Sequence, residues 1–441
     1  MIEKYLVKKI TEPVDWKVTV PGSKSMTNRA LLMAVLSAGT VRVEGVLFSD
    51  DSRHFLACLG ALGLTVEIEE EKKCVTVTGC GGRIPRGEAV IDVGSAGTAA
   101  RFLAAMLGFS DGCYEIRWSA QMKRRPMAEL FDLLSGAGAK ITFLEEEGHL
   151  PVRITGCRYA RADKTAGETP RELSLDITKS TQFLSALLLI APMVPEGMKI
   201  HITSEKTDGS YIRITRKMMQ EFGVSVAFDG RDYEVPCRSS YRKETYMVEP
   251  DMSAACYFYA AAAVTGGRAL VRHVHMDNTQ GDLRFLEVLE HMGCTADDTP
   301  EGILVTGPAD GALRGITVNM NDFSDQALTL AAIAPFADAP VRIEGIGHIR
   351  GQECDRIHAI QTNLTALGIR CEEEETAAPI YPGSPHGGSV ETYDDHRVAM
   401  AFSLVGLRTD GIVIENPACC RKTFENYFTV LSELTGKKME A

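Results

Sequence analysis

Lysine and arginine are disfavoured at a helix N-terminus, where aligned peptide dipoles already leave partial positive charge. Three apolar stretches of this chain nevertheless open on one: Lys24 in "SKSMTNRALLMAVL", Lys179 in "KSTQFLSALLL" and Arg397 in "DDHRVAMAFSL". An anion held between the cation and the helix end reverses the sign of that penalty. Ser23, Ser25, Ser95, Thr98, Ser180, Thr181, Asp251, Ser253, Ser324 and Asp395 crowd the same kind of place, at or beside the starts of apolar runs. Capping explains each of them singly. It does not explain the cations. More positive charge follows in "AQMKRRPMAE" (Lys123, Arg124, Arg125), "HIRGQECDRI" (Arg350, Arg356) and "CCRKTFENYF" (Arg421, Lys422). Such a set suits a ligand with several negative charges, phosphate or carboxylate, because guanidinium forks match both. Asp325 and Glu353 lie among these cations, which would hold a carboxyl group ionised and available as a base. Structural ion pairing is the plainer reading of either acid alone.

The elements that must position these residues repeat. "FLACLGALGLTVEI", "LFDLLSGAGAKITF", "MMQEFGVSVAF", "FLEVLEHMGCTA" and "NLTALGIRCEEE" each show helical apolar spacing, then a glycine suited to a helix C-cap, then a strand-like alternation. "FTVLSELTG" is a sixth, truncated copy. The glycines Gly63, Gly138, Gly223, Gly293 and Gly368 recur every roughly 70 to 85 residues, longer than an ordinary solenoid period. Upstream of each copy lies a strand, and upstream of that a nearly all-apolar helix such as "SAACYFYAAAAV" or "RVAMAFSLVGL". A helix without a wet face is buried on all sides. Three such units per domain would place helices inside and sheets outside. An ordinary doubly wound α/β fold is the alternative, but its helices should show a polar face.

Bulk properties exclude several function classes. A chain of 441 residues exceeds one ordinary core, and two domains are expected. The formal net charge of -12 argues against general nucleic-acid binding. The twelve cysteines form no CxxC, and with no signal peptide they read as reduced thiols of a cytosolic protein. No apolar run reaches membrane-spanning length. "VPGSKS" lacks the second glycine of a Walker loop, no GxGxxG opens a helix after a strand, and no His/Cys/Asp cluster has metal-site spacing.

"PGSKSMTNRALL", "GSAGTAARFL", "KRRPM", "STQFLSALLL", "FSDQALT", "IRGQECDRI", "YDDHRVAMAFSL" and "RKTFENYF" occur in this order along nearly the whole chain. In them the chain resembles the 5-enolpyruvylshikimate-3-phosphate synthases, also called 3-phosphoshikimate 1-carboxyvinyltransferases. The resemblance implies two inside-out α/β barrel domains, each of three βαβαββ units. It implies a first, discontinuous domain of residues 1–21 and 248–441, a second of residues 22–247, and an active site in the cleft between them. The implied reaction transfers the enolpyruvyl group of phosphoenolpyruvate to the 5-hydroxyl of shikimate 3-phosphate, in the shikimate pathway to chorismate and the aromatic amino acids. It implies no cofactor and no metal, two small-molecule substrates, no nucleic-acid or membrane partner, a cytoplasmic location and a monomer.

By the same motifs Lys24, Asp325 and Glu353 are the implied catalytic residues. Lys24, Ser25, Arg29, Ser180, Thr181, Gln182, Asp325, His348 and Gln352 are the implied contacts of shikimate 3-phosphate. Lys24, Gly97, Arg125, Gln182, Arg356, Arg397 and Lys422 are those of phosphoenolpyruvate. His396 is a further candidate beside Arg397. Ser95 stands where asparagine is usual in the family, Gln352 where lysine is usual, His348 where asparagine is frequent, and Asp208 where serine is expected. Ser210 or Lys206 would compensate for the last. The herbicide glyphosate is implied to compete at the phosphoenolpyruvate site, which Gly97 keeps open. One rival is the related transferase acting on UDP-N-acetylglucosamine, which typically has Lys-Asn in place of Lys24-Ser25 and commonly a loop cysteine absent from "SAQMKRRP". The other is a non-catalytic anion-binding protein on the same scaffold.

Overall fold

The structure is a computed structural model that describes residues 3–119, 122, 125, 127–157, 169–308 and 312–436. Lys123, Arg124 and Pro126 of the basic loop lie outside the described residues. The chain forms two compact units: Gly22–Glu249, and Met1–Pro21 together with Pro250–Ala441.

In the continuous unit the helices are α1 (Lys24–Leu36), α2 (Asp50–Ala61), α3 (Gly97–Gly108), α4 (Ala128–Gly136), α5 (Thr181–Ile190) and α6 (Ser210–Glu221). In the discontinuous unit they are α7 (Met252–Thr265), α8 (Phe285–His291), α9 (Ala327–Ile333), α10 (Arg356–Ala366), α11 (His396–Arg408) and α12 (Tyr427–Leu434). The odd-numbered helices are the apolar runs, and they are buried along almost their whole length. α7 has no wet side because its residues are alanine, aromatic and thiol nearly throughout. Each unit has its own core: α1, α3 and α5 anchor one, and α7, α9 and α11 the other. Each fully buried Leu, Phe or Met contributes roughly 1.5–3 kcal/mol of transfer free energy.

Among the described residues the strands form six small sheets. Every sheet contains one parallel pair, for example Thr245–Met247 on Thr40–Glu44, and at least one antiparallel neighbour, here Cys74–Thr78. Among the described residues the single open sheet of a doubly wound fold is not formed. The even-numbered helices all end alike. Gly63, Gly138, Gly223, Gly293 and Gly368 follow the C-caps of α2, α4, α6, α8 and α10 with φ of 82, 99, 92, 105 and 84°. Gly436, at 63°, closes α12 in the same way. Among the described residues no helix is long and apolar enough to cross a membrane, and no group of three His, Cys, Asp or Glu is placed to hold a metal ion.

Candidate active site

The buried helices carry their polar residues in the first turns, where four backbone N–H groups lack intrahelical partners. In the continuous unit, Arg29 sits one turn into α1 with 1% of its surface exposed. Its Nε donates to Thr215 Oγ1 at 2.8 Å and its Nη1 to the Ser25 carbonyl at 2.9 Å. Nη2 reaches Ser185 Oγ at 3.3 Å and the Tyr211 carbonyl at 3.4 Å. The guanidinium lies against the rings of Phe102 and Tyr211. Among the described residues no carboxylate pairs with it, and burial pulls its pKa down to about 10. A buried cation whose partners are all neutral is costly unless an anion completes the site.

Lys24 opens α1 and lies 3.5 Å from the carboxylate of buried Asp51 at the start of α2. Ser25 Oγ is 3.3 Å from Ser23 Oγ. Ser180 caps α5, its Oγ accepting from the Gln182 backbone N–H at 3.3 Å, and Thr181 is the first residue of that helix. The Gln182 side-chain oxygen Oε1 accepts from Arg101 Nη1 at 2.9 Å, and the same Nη1 donates to the Gly97 backbone carbonyl at 3.1 Å. Arg125 lies directly over Gly97: a Cβ on that glycine would come within 2.3 Å of Arg125 Nη1 and 2.8 Å of Arg101 Nη1. Two expectations change. Lys179 already has a counter-charge on the chain itself: its side chain is 65% exposed and paired with the Glu129 carboxylate at 2.6 Å. Asp208, odd beside a phosphate, has structural partners in Arg213 at 2.9 Å and the Tyr233 hydroxyl at 3.2 Å.

In the discontinuous unit the charges converge on Arg356, the first residue of α10, with 1% of its surface exposed. Its Nη1 meets Asp325 at 3.0 Å, its Nη2 meets Glu353 at 3.0 Å, and its Nε meets Asp395 at 2.8 Å. Nη1 also donates to the Gln352 side-chain oxygen. Burial alone would lower the Arg356 pKa, but Asp395, Glu353 and Asp325 outweigh it and hold the guanidinium above its ordinary value. Arg397 Nη2 reaches the other oxygen of Asp325 at 2.9 Å, and Lys422 Nζ reaches Glu353 at 3.3 Å. Asp395 caps α11 through the Arg397 backbone N–H at 2.8 Å. His348 Nε2 is 2.8 Å from Ser324 Oγ, the neighbour of Asp325. His396 is buried, with Nδ1 3.6 Å from Asp395.

Thus Asp325, Glu353, Arg356, Arg397, Lys422 and Gln352 form one network, with His348 beside it. Lys24, Ser25, Arg29, Gly97, Arg125, Ser180, Thr181 and Gln182 lie at or beside the first turns of α1, α3 and α5. Sequence reasoning missed Asp51, Arg101 and Asp282. The signal was available: Asp51 and Asp282 each follow the strand after a buried helix, in corresponding copies of the repeat.

Comparison with known proteins followed the same lines. Residues 8–431 match the family described as EPSP synthase (3-phosphoshikimate 1-carboxyvinyltransferase). The chain is 41% identical over 429 residues to the 3-phosphoshikimate 1-carboxyvinyltransferase of Trichormus variabilis, covering 97% of this chain and 98% of that protein. It is 39% identical over 427 residues to that of Sulfurovum sp., covering 96% and 97%. The solved structure of EPSP synthase from Acinetobacter baumannii superposes with a TM-score of 0.80 at 25% identity, covering 99% of both chains.

Proposed function

The chain belongs to the EPSP synthase family, and from that premise we propose that it transfers the enolpyruvyl group of phosphoenolpyruvate to the 5-hydroxyl of shikimate 3-phosphate, releasing phosphate. The 5-hydroxyl oxygen attacks C2 of phosphoenolpyruvate while Asp325 takes the hydroxyl proton. Lys24 delivers a proton to the methylene carbon, giving a tetrahedral ketal phosphate. Loss of a methyl proton to Glu353 and departure of phosphate then restore the double bond. Ser25, Arg29, Ser180, Thr181 and Gln182 hold shikimate 3-phosphate, with His348 and Gln352 near its ring. Gly97, Arg125, Arg356, Arg397 and Lys422 surround phosphoenolpyruvate.

The observation that carries this reading is the pairing of both candidate bases with the cations assigned to phosphoenolpyruvate: Asp325 on Arg356 and Arg397, Glu353 on Arg356 and Lys422. Without ligand those pairs keep the carboxylates ionised and weakly basic. When a phosphate and a carboxylate take over the guanidinium and ammonium groups, Asp325 and Glu353 lose their counter-charges and their proton affinity rises. Binding of one substrate thereby arms the base that acts on the other.

The six sheets with one shared strand pattern support two inside-out barrels of three βαβαββ units, one per unit of the chain. The protein is read as a cytoplasmic monomer acting on two small anions, without membrane partners, and the acidic net charge speaks against a nucleic-acid partner. The test is phosphate release from phosphoenolpyruvate with shikimate 3-phosphate or UDP-N-acetylglucosamine as acceptor. Turnover is expected only with the former, and Asp325→Ala is expected to lower it about 10²–10⁴-fold. Turnover with the sugar nucleotide, or anion binding without turnover, would replace the reading.

A further inference from the structure

One carboxylate of the discontinuous unit has no place in the reaction above. Asp282 lies in the short helix Gly281–Arg284 that leads into α8, with 6% of its surface exposed. Among the described residues no lysine, arginine or histidine pairs with it. One of its oxygens, Oδ2, accepts from both Ser253 Oγ and Gln326 Nε2, the latter at 2.9 Å. Each of these leads to the proposed chemistry. Ser253 Oγ is 3.4 Å from Arg397 Nη2, the group that also bonds Asp325. Gln326 is the residue after Asp325, fully buried, with its own oxygen held by Thr329 Oγ1 at 2.9 Å.

Its position in the fold repeats that of Asp51. Each acid lies beyond the strand that follows a buried helix and reaches back to that helix's first turn: Asp51 to Lys24 of α1, Asp282 to Ser253 of α7. In the continuous unit the acid meets a cation directly. In the discontinuous unit a serine stands between acid and cation.

We propose that Asp282 is a positioning residue for the enolpyruvyl transfer: through Ser253 it fixes the Arg397 guanidinium, and its buried negative charge keeps neighbouring Asp325 avid for a proton. The inference rests on the assignment of Asp325 as base. The groups that face Asp282 are Ser253 and Cys256 from α7, Asp325 and Gln326 ahead of α9, and Arg397 from α11; Asp251 stands at the α7 cap. Burial first, and then the Asp325 charge, raise the Asp282 pKa from 3.8 to about 6 against the pull of Arg397, Ser253 and Gln326. Two carboxylates that share a buried site raise each other's proton affinity.

Asp282→Asn decides the matter, because both hydrogen bonds run to one oxygen, which asparagine retains. With the charge gone, Asp325 becomes a weaker base. Asp282 carries that charge only above about pH 6, so kcat of Asp282→Asn is expected to lie about threefold below the wild type above that pH and to approach it below. A ratio of the two rates that stays constant across pH 6 would reduce Asp282 to a structural group and overturn the proposal. Ser253→Ala, which leaves the charge but cuts the link to Arg397, is expected to raise KM for phosphoenolpyruvate severalfold without changing the pH dependence of kcat; an unchanged KM would also overturn it.

Urea unfolding of the wild type and Asp282→Asn supplies a readout free of turnover. A carboxyl whose folded pKa lies above its unfolded value contributes its stability below pH 3.8 and loses it as pH rises through about 6. The midpoint advantage of the asparagine variant should therefore grow across that window, and a flat difference would mean that Asp282 does not titrate there. Inactivity of the wild type would instead refute the assigned reaction, with the urea result standing on its own.

Discussion

Arg29 and Arg356 are both buried arginines at the starts of buried helices, yet their surroundings are opposite in sign. Arg356 is held by Asp325, Glu353 and Asp395, whereas Arg29 meets hydroxyls, carbonyls and aromatic rings. Arg356 is balanced by carboxylates of its own chain, whereas Arg29 meets no carboxylate among the described residues. Gly97 offers a sharper test of the same chemistry. A methyl group there would push the Arg125 and Arg101 guanidinium ends, which are flexible enough to move. Gly97→Ala is accordingly expected to fold and to cost about 1–2 kcal/mol of phosphoenolpyruvate binding. That is a rise in KM of roughly tenfold, with KM for shikimate 3-phosphate nearly unchanged and inhibition by glyphosate weakened. Steady-state kinetics with each substrate varied in turn would show it; equal rises in both KM values would contradict the placement of Arg125.

At the scale of elements, the helices that face outward end on glycine because the residue past the C-cap must take a left-handed conformation that a Cβ penalises. Gly223, past α6, isolates that term, since its φ is 92° and a Cβ there would meet nothing within 4 Å. Gly223→Ala should destabilise the continuous unit by about 1 kcal/mol, read as a lower urea midpoint at unchanged slope. No loss would mean that the turn relaxes freely. These glycines, the apolar runs and the hairpins were all legible in the amino-acid sequence, because each depends on residues only three or four positions apart. The sheets were legible in pattern but not in pairing. Nothing local says that Thr245–Met247 lies parallel to Thr40–Glu44, some two hundred residues upstream.

At the scale of the whole molecule, the two cores are separate sets of residues, and each contains one of the two tryptophans or packs against it: Trp16 in the discontinuous unit, Trp118 in the continuous one. Two cores of this size need not unfold together. Fluorescence of Trp16→Phe and Trp118→Phe proteins, each retaining a single reporter, is expected to give denaturation curves with different midpoints. Coincident curves would show one cooperative transition.

The sequence by itself determined the repeat, the buried and outward helices, their caps, and the family that eight ordered motifs carry. It also marked Asp325, Glu353, Arg356, Arg397 and Lys422 as candidates, through charges at helix starts and through that resemblance. Tertiary structure alone decided which of those charges meet. Arg29 finds Thr215 186 residues away, Arg356 finds Asp395 across 39, and Asp282 reaches Ser253 across 29. It likewise turned Lys179 outward to Glu129 and gave Asp208 to Arg213. The reason is physical: caps and periodicity are properties of a few consecutive residues, whereas the partner of a buried charge is set by which helix ends the packing of the core brings together.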